Sequence, residues 1–313
     1  MPHPRDPQPT RVNREVTETY EGREANRDAV DRASRIGFLS DVQVYAPHRV
    51  GLPRLVPYFT ELWHRREFAA ELSRAEMRAA NTRTFFGQVW LVLNPLLLAG
   101  VYFILVFILA GRQNGAAFFA HLTAGLFAFY FISGAMQAGA KSVVGSGALI
   151  ANMAFPRLLM PLSAVRTAFF RFLPPLAVYF VIHALTGRPW SWKMLLSVYF
   201  IGCMVVLASG LAAIFATLQV YFRDTTSFLP YFLRIWLYLS PILWAADMVP
   251  ARFAPFIQAN PLYWIIGGYG ELLVASVIPP LNIWIGAAAW SALFAVIGVL
   301  FFMSREREFA VRL

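Results

Sequence analysis

Residues 194–220 read MLLSVYFIGCMVVLASGLAAIFATLQV, a run without a single Asp, Glu, Lys or Arg. A helix rising about 1.5 Å per residue over this length crosses the ~30 Å hydrocarbon core of a bilayer, whereas a helix half-exposed to water carries a polar face. The stretch therefore predicts a transmembrane helix. The only cysteine, Cys203, lies within it, which excludes an intrachain disulfide or a cysteine-rich metal site.

The same reading extends outward to residues 89–110, 118–138, 162–185, 228–244 and 283–303, which gives six spans in all. Span five (228–244) is short, and span three (162–185) contains Arg166, Arg171 and Pro174-Pro175. The composition agrees with the pattern: 58% hydrophobic, 14% charged and a mean hydropathy of +0.55 are too apolar for a water-soluble domain of this length. Residues 1–88 are different, holding 14 Lys/Arg and 12 Asp/Glu. Residues 1–56, rich in Pro and charge and poor in large apolar side chains, read as a disordered or extended tail. Residues 57–88 set Phe59, Leu62, Trp63, Phe68, Leu72 and Met77 among Arg65, Arg66, Glu67, Arg74 and Arg78, the pattern of an amphipathic helix lying on a membrane surface. Residues 89–303 then form the spanning domain, and 304–313 a short charged tail. The first apolar run begins near Val89, so span one is expected to direct insertion.

The distribution of basic residues sets the orientation. Arg65, Arg66, Arg74, Arg78, Arg83, Lys141, Arg157, Arg223, Arg305, Arg307 and Arg312 fall on one side, and only Arg112, Arg188, Lys193 and Arg252 on the other. The positive-inside rule then places both termini in the cytoplasm of a multi-pass protein of the cytoplasmic (inner) membrane. It also explains the net charge of +10 without nucleic acid as a partner. Between spans five and six, residues 247–282 are apolar but broken by Pro250, Pro255, Asn260-Pro261, Gly267-Gly268, Gly270 and Pro279-Pro280, too interrupted to cross twice. Asn260 followed by Pro261 is a strong helix start, because Asn accepts an orphan backbone donor and Pro has none to lose. Residues 262–277 are thus expected to form an outer re-entrant helix. The fold class is an all-α integral membrane protein with six transmembrane helices, an N-terminal interfacial helix and this outer re-entrant segment.

One cytoplasmic loop stands out. In residues 150–161, Ile150, Met153, Phe155, Leu158 and Leu159 accompany Asn152 and Arg157, with Pro156 and Pro161 limiting any helix. A solvent-exposed turn does not normally present so many apolar side chains without a partner to cover them. The expected contact residues are Asn152, Phe155, Pro156 and Arg157, with Phe155 entering a cleft of that partner.

The chemistry an enzyme would need is sparse. Residues 89–303 contain only Asp224, Asp247 and Glu271 as carboxylates, none near mid-membrane, and no metal-ligand cluster. Residues 134–142 have one residue too many before Lys141 for a phosphate-binding loop and follow a span, not a strand. If the protein does energised work, ATP and magnesium belong to another chain, and this one binds no cofactor.

Three short pieces resemble one family. Arg78 to Thr84 with Gly87, Trp90, Asn94 and Pro95 is similar to a basic surface helix running into a kinked first span. Phe155-Pro156-Arg157 with Met160-Pro161-Leu162-Ser163 resembles a cytoplasmic coupling loop. Arg223-Asp224, Asn260-Pro261-Leu262 and the tail Arg305-Glu306-Arg307-Glu308-Phe309 complete the pattern. In order and at matching depths, these pieces resemble the membrane permeases of bacterial ABC transporters that export glycans such as O-antigen, teichoic acid and mycobacterial galactan. The similarity covers 58–313. Ala80, Asn81 and Thr82 stand where members often carry basic or aromatic residues, and the long N-terminal tail is additional. The Arg-rich composition, with two lysines, favours the galactan exporter within the family.

The resemblance implies a homodimer of this chain with two copies of a separate ATPase, moving a lipid-linked glycan across the membrane. The alternatives are an exporter of a drug or small lipid, and an embedded glycan-synthesis enzyme. Arg234, Arg166 and Arg171 sit in or near apolar runs, where they either snorkel to headgroups or meet the diphosphate of a lipid-linked substrate. Trp90, Tyr102 and Phe107 of span one and Tyr231, Trp236 and Tyr238 of span five serve either as interfacial aromatics or, in the family reading, as the wall of a channel where the two spans meet across a dimer.

Overall fold

The computed structural model describes residues 54–80, 89–110, 115–244 and 250–312. All belong to one compact unit, Val50–Leu313; residues 1–53 of the expected tail and residues 81–88 lie outside the described residues, and Leu55 and Val56, expected in the tail, lie in the first helix. The described chain is helical, with no strand among the described residues.

In place of one interfacial helix there are two, α1 (Leu55–His64) and α2 (Arg66–Ala80), broken at Arg65. The apolar helices follow as α3 (Trp90–Ala110) and α4 (Gly115–Gly145), then a short α5 (Gly147–Asn152) and α6 (Leu159–Leu185). A 3-10 turn at Trp192–Leu196 leads into α7 (Ser197–Tyr221), and α8 (Thr225–Leu239) comes next. Beyond α9 (Ala254–Gln258) lies α10 (Pro261–Gly270), continued by a π-helical turn at Glu271–Ala275. The chain ends with α11 (Leu281–Arg305), a 3-10 turn at Glu306–Glu308 and α12 (Phe309–Arg312).

Four of these segments are long and apolar enough to cross a membrane: Gly115–Gly145, Leu159–Leu185, Trp192–Tyr221 and Leu281–Glu308. Of the other two expected spans, span one corresponds to the 21-residue α3, whose described apolar part is Trp90–Leu105, and span five to α8, which has 15 residues. Span two continues seven residues past its expected end at 138, to Gly145, because Gly139, Ala140 and Val143 remain buried and keep its helical contacts.

Helix α4 is the central element, packing on α3, α6, α7, α8 and α10. Its buried face, with Leu122, Leu126, Phe127, Ile132 and Met136, anchors the larger apolar core. The outer segment is drawn into this core: α10 packs on α4, α7 and α11, and Leu262, Ile265, Leu272 and Leu273 are completely buried. Its helical run stops at Ala275, before the expected 277, because Ser276 takes a left-handed conformation with φ 54°. Helices α7 and α11 approach closely, because Gly210 and Gly298 let the backbones touch. A methyl on Gly298 would run into the Gly210 carbonyl, and one on Gly210 into that of Phe294. A second apolar cluster at the Arg-rich end, with Ile150, Leu158, Met160, Val220, Phe302 and Phe309, joins the loop before α6 to the ends of α7 and α11.

Candidate functional site

Two sites emerge, a cavity between α2, α3, α4 and α6, and the loop that precedes α6. The cavity measures about 250 Å³ and is lined by Glu76, Trp90, Leu91, Asn94, Pro95, Tyr130, Thr167, Arg171 and Pro175, among others. Proline notches both flanking helices. Pro95 removes the helical hydrogen bond to the carbonyl of Leu91, and Pro175 the one to Arg171. Both freed positions line the cavity. Its outer edge is fixed by the docking of α2 on α6: Thr167 Oγ1 lies 2.9 Å from both Ser73 Oγ and Glu76 Oε2. The lining combines aromatic and apolar side chains with the guanidinium of Arg171, the carboxylate of Glu76 and the amide of Asn94. Among the described residues Arg171 forms no ion pair, so its charge is available to an anionic ligand.

Of the residues expected at a gate, Trp90 and Arg171 line this cavity together. Arg166 does not; its guanidinium lies over the Phe170 ring, 5.3 Å from the centroid. Tyr102 of α3 and Tyr238 of α8 meet within one chain, hydroxyl to hydroxyl at 3.1 Å with rings edge to face. Tyr130 lines the cavity, and α8 presents an exposed face beside Tyr238. Tyr231 and Arg234 are exposed on that face. Trp236 is turned to another purpose: its Nε1 donates to Asn260 Oδ1 at 3.0 Å and its ring packs on Phe232. The side chain of Phe107 lies outside the described residues.

Asn260 caps α10 by accepting from Leu262 N at 3.0 Å, and Pro261 occupies the first turn. Its Nδ2 donates to Ser240 Oγ at 2.9 Å, so one side chain ties the end of α8 to the start of α10. Asn260→Ala is expected to cost about 1–2 kcal/mol for the lost cap, more if the Trp236 donor stays unsatisfied. A lowered thermal midpoint in detergent, largely restored by Asn260→Asp, checks this.

The loop at 150–161 is less exposed than its sequence suggests. Leu158, Leu159 and Met160 are buried inside the chain, and so are Pro156 and Pro161. These apolar residues are covered by the chain itself, not left for a partner. Phe155 is half-buried, with its ring 5.4 Å from that of Phe68 on α2. Arg65 Nη1 donates to the Ala154 carbonyl at 2.9 Å. Arg157 N donates to Glu306 Oε1 at 2.5 Å, and its guanidinium to the Glu306 carbonyl. Tyr58 OH donates to Glu306 Oε2 at 2.6 Å. Burial, with the Glu306 carboxylate beside it, holds the Tyr58 phenol far above its ordinary pKa, so it remains a donor. What faces outward is the tip, Asn152, Met153 and Ala154, with Met153 49% exposed.

Sequence reasoning missed Glu306, Tyr58, Glu76 and Thr167 as participants. Glu76 and Thr167 sit at helix positions where nothing local distinguishes them from solvated polar residues. Glu306 differs from its neighbour Glu308 only in which way the 3-10 turn points it.

These features belong to a multi-pass, all-helical membrane protein. No protein-family model matches the chain. It is 30% identical over 209 residues, 66% of this chain and 80% of the relative, to an O-antigen export system permease protein RfbA of Klebsiella pneumoniae. A second protein of that name from the same organism is 29% identical over 207 residues, covering 65% of this chain and 78% of the relative. One from Myxococcus xanthus is 25% identical over 252 residues, covering 80% and 96%. The chain belongs to the family of polysaccharide-export ABC permeases.

Proposed function

We propose that this chain is one half of a homodimeric six-span permease in the cytoplasmic membrane, with both termini inside, that carries a lipid-linked polysaccharide outward. Two copies of a separate ATPase power it, supplying the site for ATP and magnesium. Spans one and five are α3 and α8, and α10 with its π turn is a re-entrant element of the outer side. The observation that carries the reading is the mounting of the 150–161 loop: Arg65, Phe68 and Glu306 hold it from behind while Asn152, Met153 and Ala154 remain outside. A rigidly backed loop with an exposed apolar tip suits a contact that must pass on a mechanical stroke.

The cavity supports the cargo assignment. A guanidinium beside a proline-notched aromatic wall suits a phosphate group joined to an apolar chain. The names of the relatives favour a polysaccharide as what that lipid carries. Docking is tested at the tip. Met153→Glu puts a charge at the centre of the contact and is expected to reduce co-purification of the ATPase by about tenfold or more, with the yield of permease unchanged. Undiminished capture of the ATPase would remove the loop tip from the interface.

A further inference from the structure

Glu306 is the only Asp, Glu, Lys or Arg buried among the described residues, at 8% exposure. A carboxylate withdrawn from water is tolerated only where its lone pairs are met, and here both oxygens are. Tyr58 donates to one and the backbone of Arg157 to the other, from positions 248 and 149 residues away in sequence. The Arg157 guanidinium returns to the Glu306 carbonyl, closing the contact from both sides. Around it, Phe302 and Phe309 pack edge to face, 5.1 Å between centroids, so the turn carrying Glu306 is anchored on each flank. Glu308 binds Arg305 at 3.3 Å, Arg312 at 3.4 Å and the Tyr221 hydroxyl, which fixes the same turn to the end of α7.

Apolar side chains would join these pieces with equal or greater stability, since a buried charge is a weak stabiliser. What a hydrogen-bonded carboxylate adds is register: it permits one relative placement of α1, the loop before α6 and the end of α11. We infer that Glu306 is a positioning residue for transport, a latch that makes α1 and α11 move with the 150–161 loop, so that a displacement delivered at the loop tip reaches the spans. The inference rests on the docking reading above, because it concerns what happens to a stroke once it arrives.

The experiment compares wild type, Glu306→Ala, Glu306→Gln and Tyr58→Phe, each reconstituted with its ATPase in liposomes, reading ATP hydrolysed and lipid-linked polysaccharide moved. Glu306→Gln keeps an acceptor for Arg157 N. Glu306→Ala is expected to export at least about tenfold less per ATP hydrolysed, the factor that one charge-assisted hydrogen bond represents, and taking the ratio per ATP removes any change in how much ATPase is bound. Glu306→Gln should recover most of the ratio. A wild-type ratio in Glu306→Ala overturns the inference. If Glu306→Ala does not fold, Tyr58→Phe decides, since it removes one oxygen: a reduced ratio supports the latch and an unchanged ratio refutes it. Failure of the wild-type chain to bind any ATPase would instead overturn the docking reading.

Discussion

Export should fall by about two orders of magnitude when Arg171 is replaced by glutamate, the effect of removing one partner of a desolvated charge pair and adding repulsion. Arg171 shares its cavity with Trp90, Asn94 and Glu76 and has no ion-pair partner among the described residues, so a phosphate is the natural complement of its guanidinium. Reversing the sign there leaves Glu76 and the new carboxylate facing the same anion. Arg171→Lys keeps the charge but loses the planar fork, and should retain an intermediate rate. The measurement is ATP-driven transfer of lipid-linked polysaccharide in proteoliposomes, with the ATPase rate recorded in parallel. Equal export by Arg171→Glu and wild type would take the cavity out of the transport path.

The second large effect concerns the scaffold. Gly298→Ala and Gly210→Ala should each strongly reduce the yield of monodisperse protein in detergent, while Gly202→Ala, also on α7, should leave it unchanged. The difference is geometric. A methyl at 298 or 210 meets backbone of the opposite helix, which cannot rotate away, whereas nothing lies within 4 Å of one at 202. Overpacking of this kind costs about 1–3 kcal/mol or more, a large share of a folded chain's roughly 5–15 kcal/mol margin. Because α7 and α11 also carry Tyr221 and Glu306 at their ends, prising them apart would disturb the loop mounting as well. Size-exclusion profiles of the three variants, made side by side, settle it.

The apolar helices were legible because hydrophobicity over a long window is a property of the chain itself. The run at 194–220 needs no tertiary partner to declare it, and α7 with its preceding turn spans Trp192–Tyr221. The start of α10 was legible for a local reason too, since Asn260 and Pro261 act on the first turn that follows them. Long-range contacts were not. The loop at 150–161 carries Leu158 and Met160, and whether such residues face a partner or the chain's own core depends on Val220 and Phe302, far away in sequence. The break at Arg65 was likewise hidden, since the amphipathic pattern runs straight through a residue whose side chain reaches the Ala154 carbonyl. The site shows the same division. Arg171 was visible as a charge in an apolar run, but Glu76 and Thr167 gain meaning only once α2 lies on α6.

That division bears on how the protein would work. Of the arginines and aromatics that sequence marks, Trp90 and Arg171 line the cavity. Those that only the fold marks make long-range contacts: Tyr58 and the Arg157 backbone meet at Glu306, and Ser73 of α2 meets Thr167 of α6.

We propose that this chain is the route by which a lipid-linked polysaccharide leaves the cell interior. Depletion of the chain from living cells, followed by an assay of which side of the cytoplasmic membrane the lipid-linked polysaccharide occupies, tests it most directly. Accumulation on the inner face, reversed by the wild-type chain but not by Arg171→Glu, is the predicted result. Continued delivery of the polysaccharide to the outer face at the normal rate, with none retained inside, would contradict it.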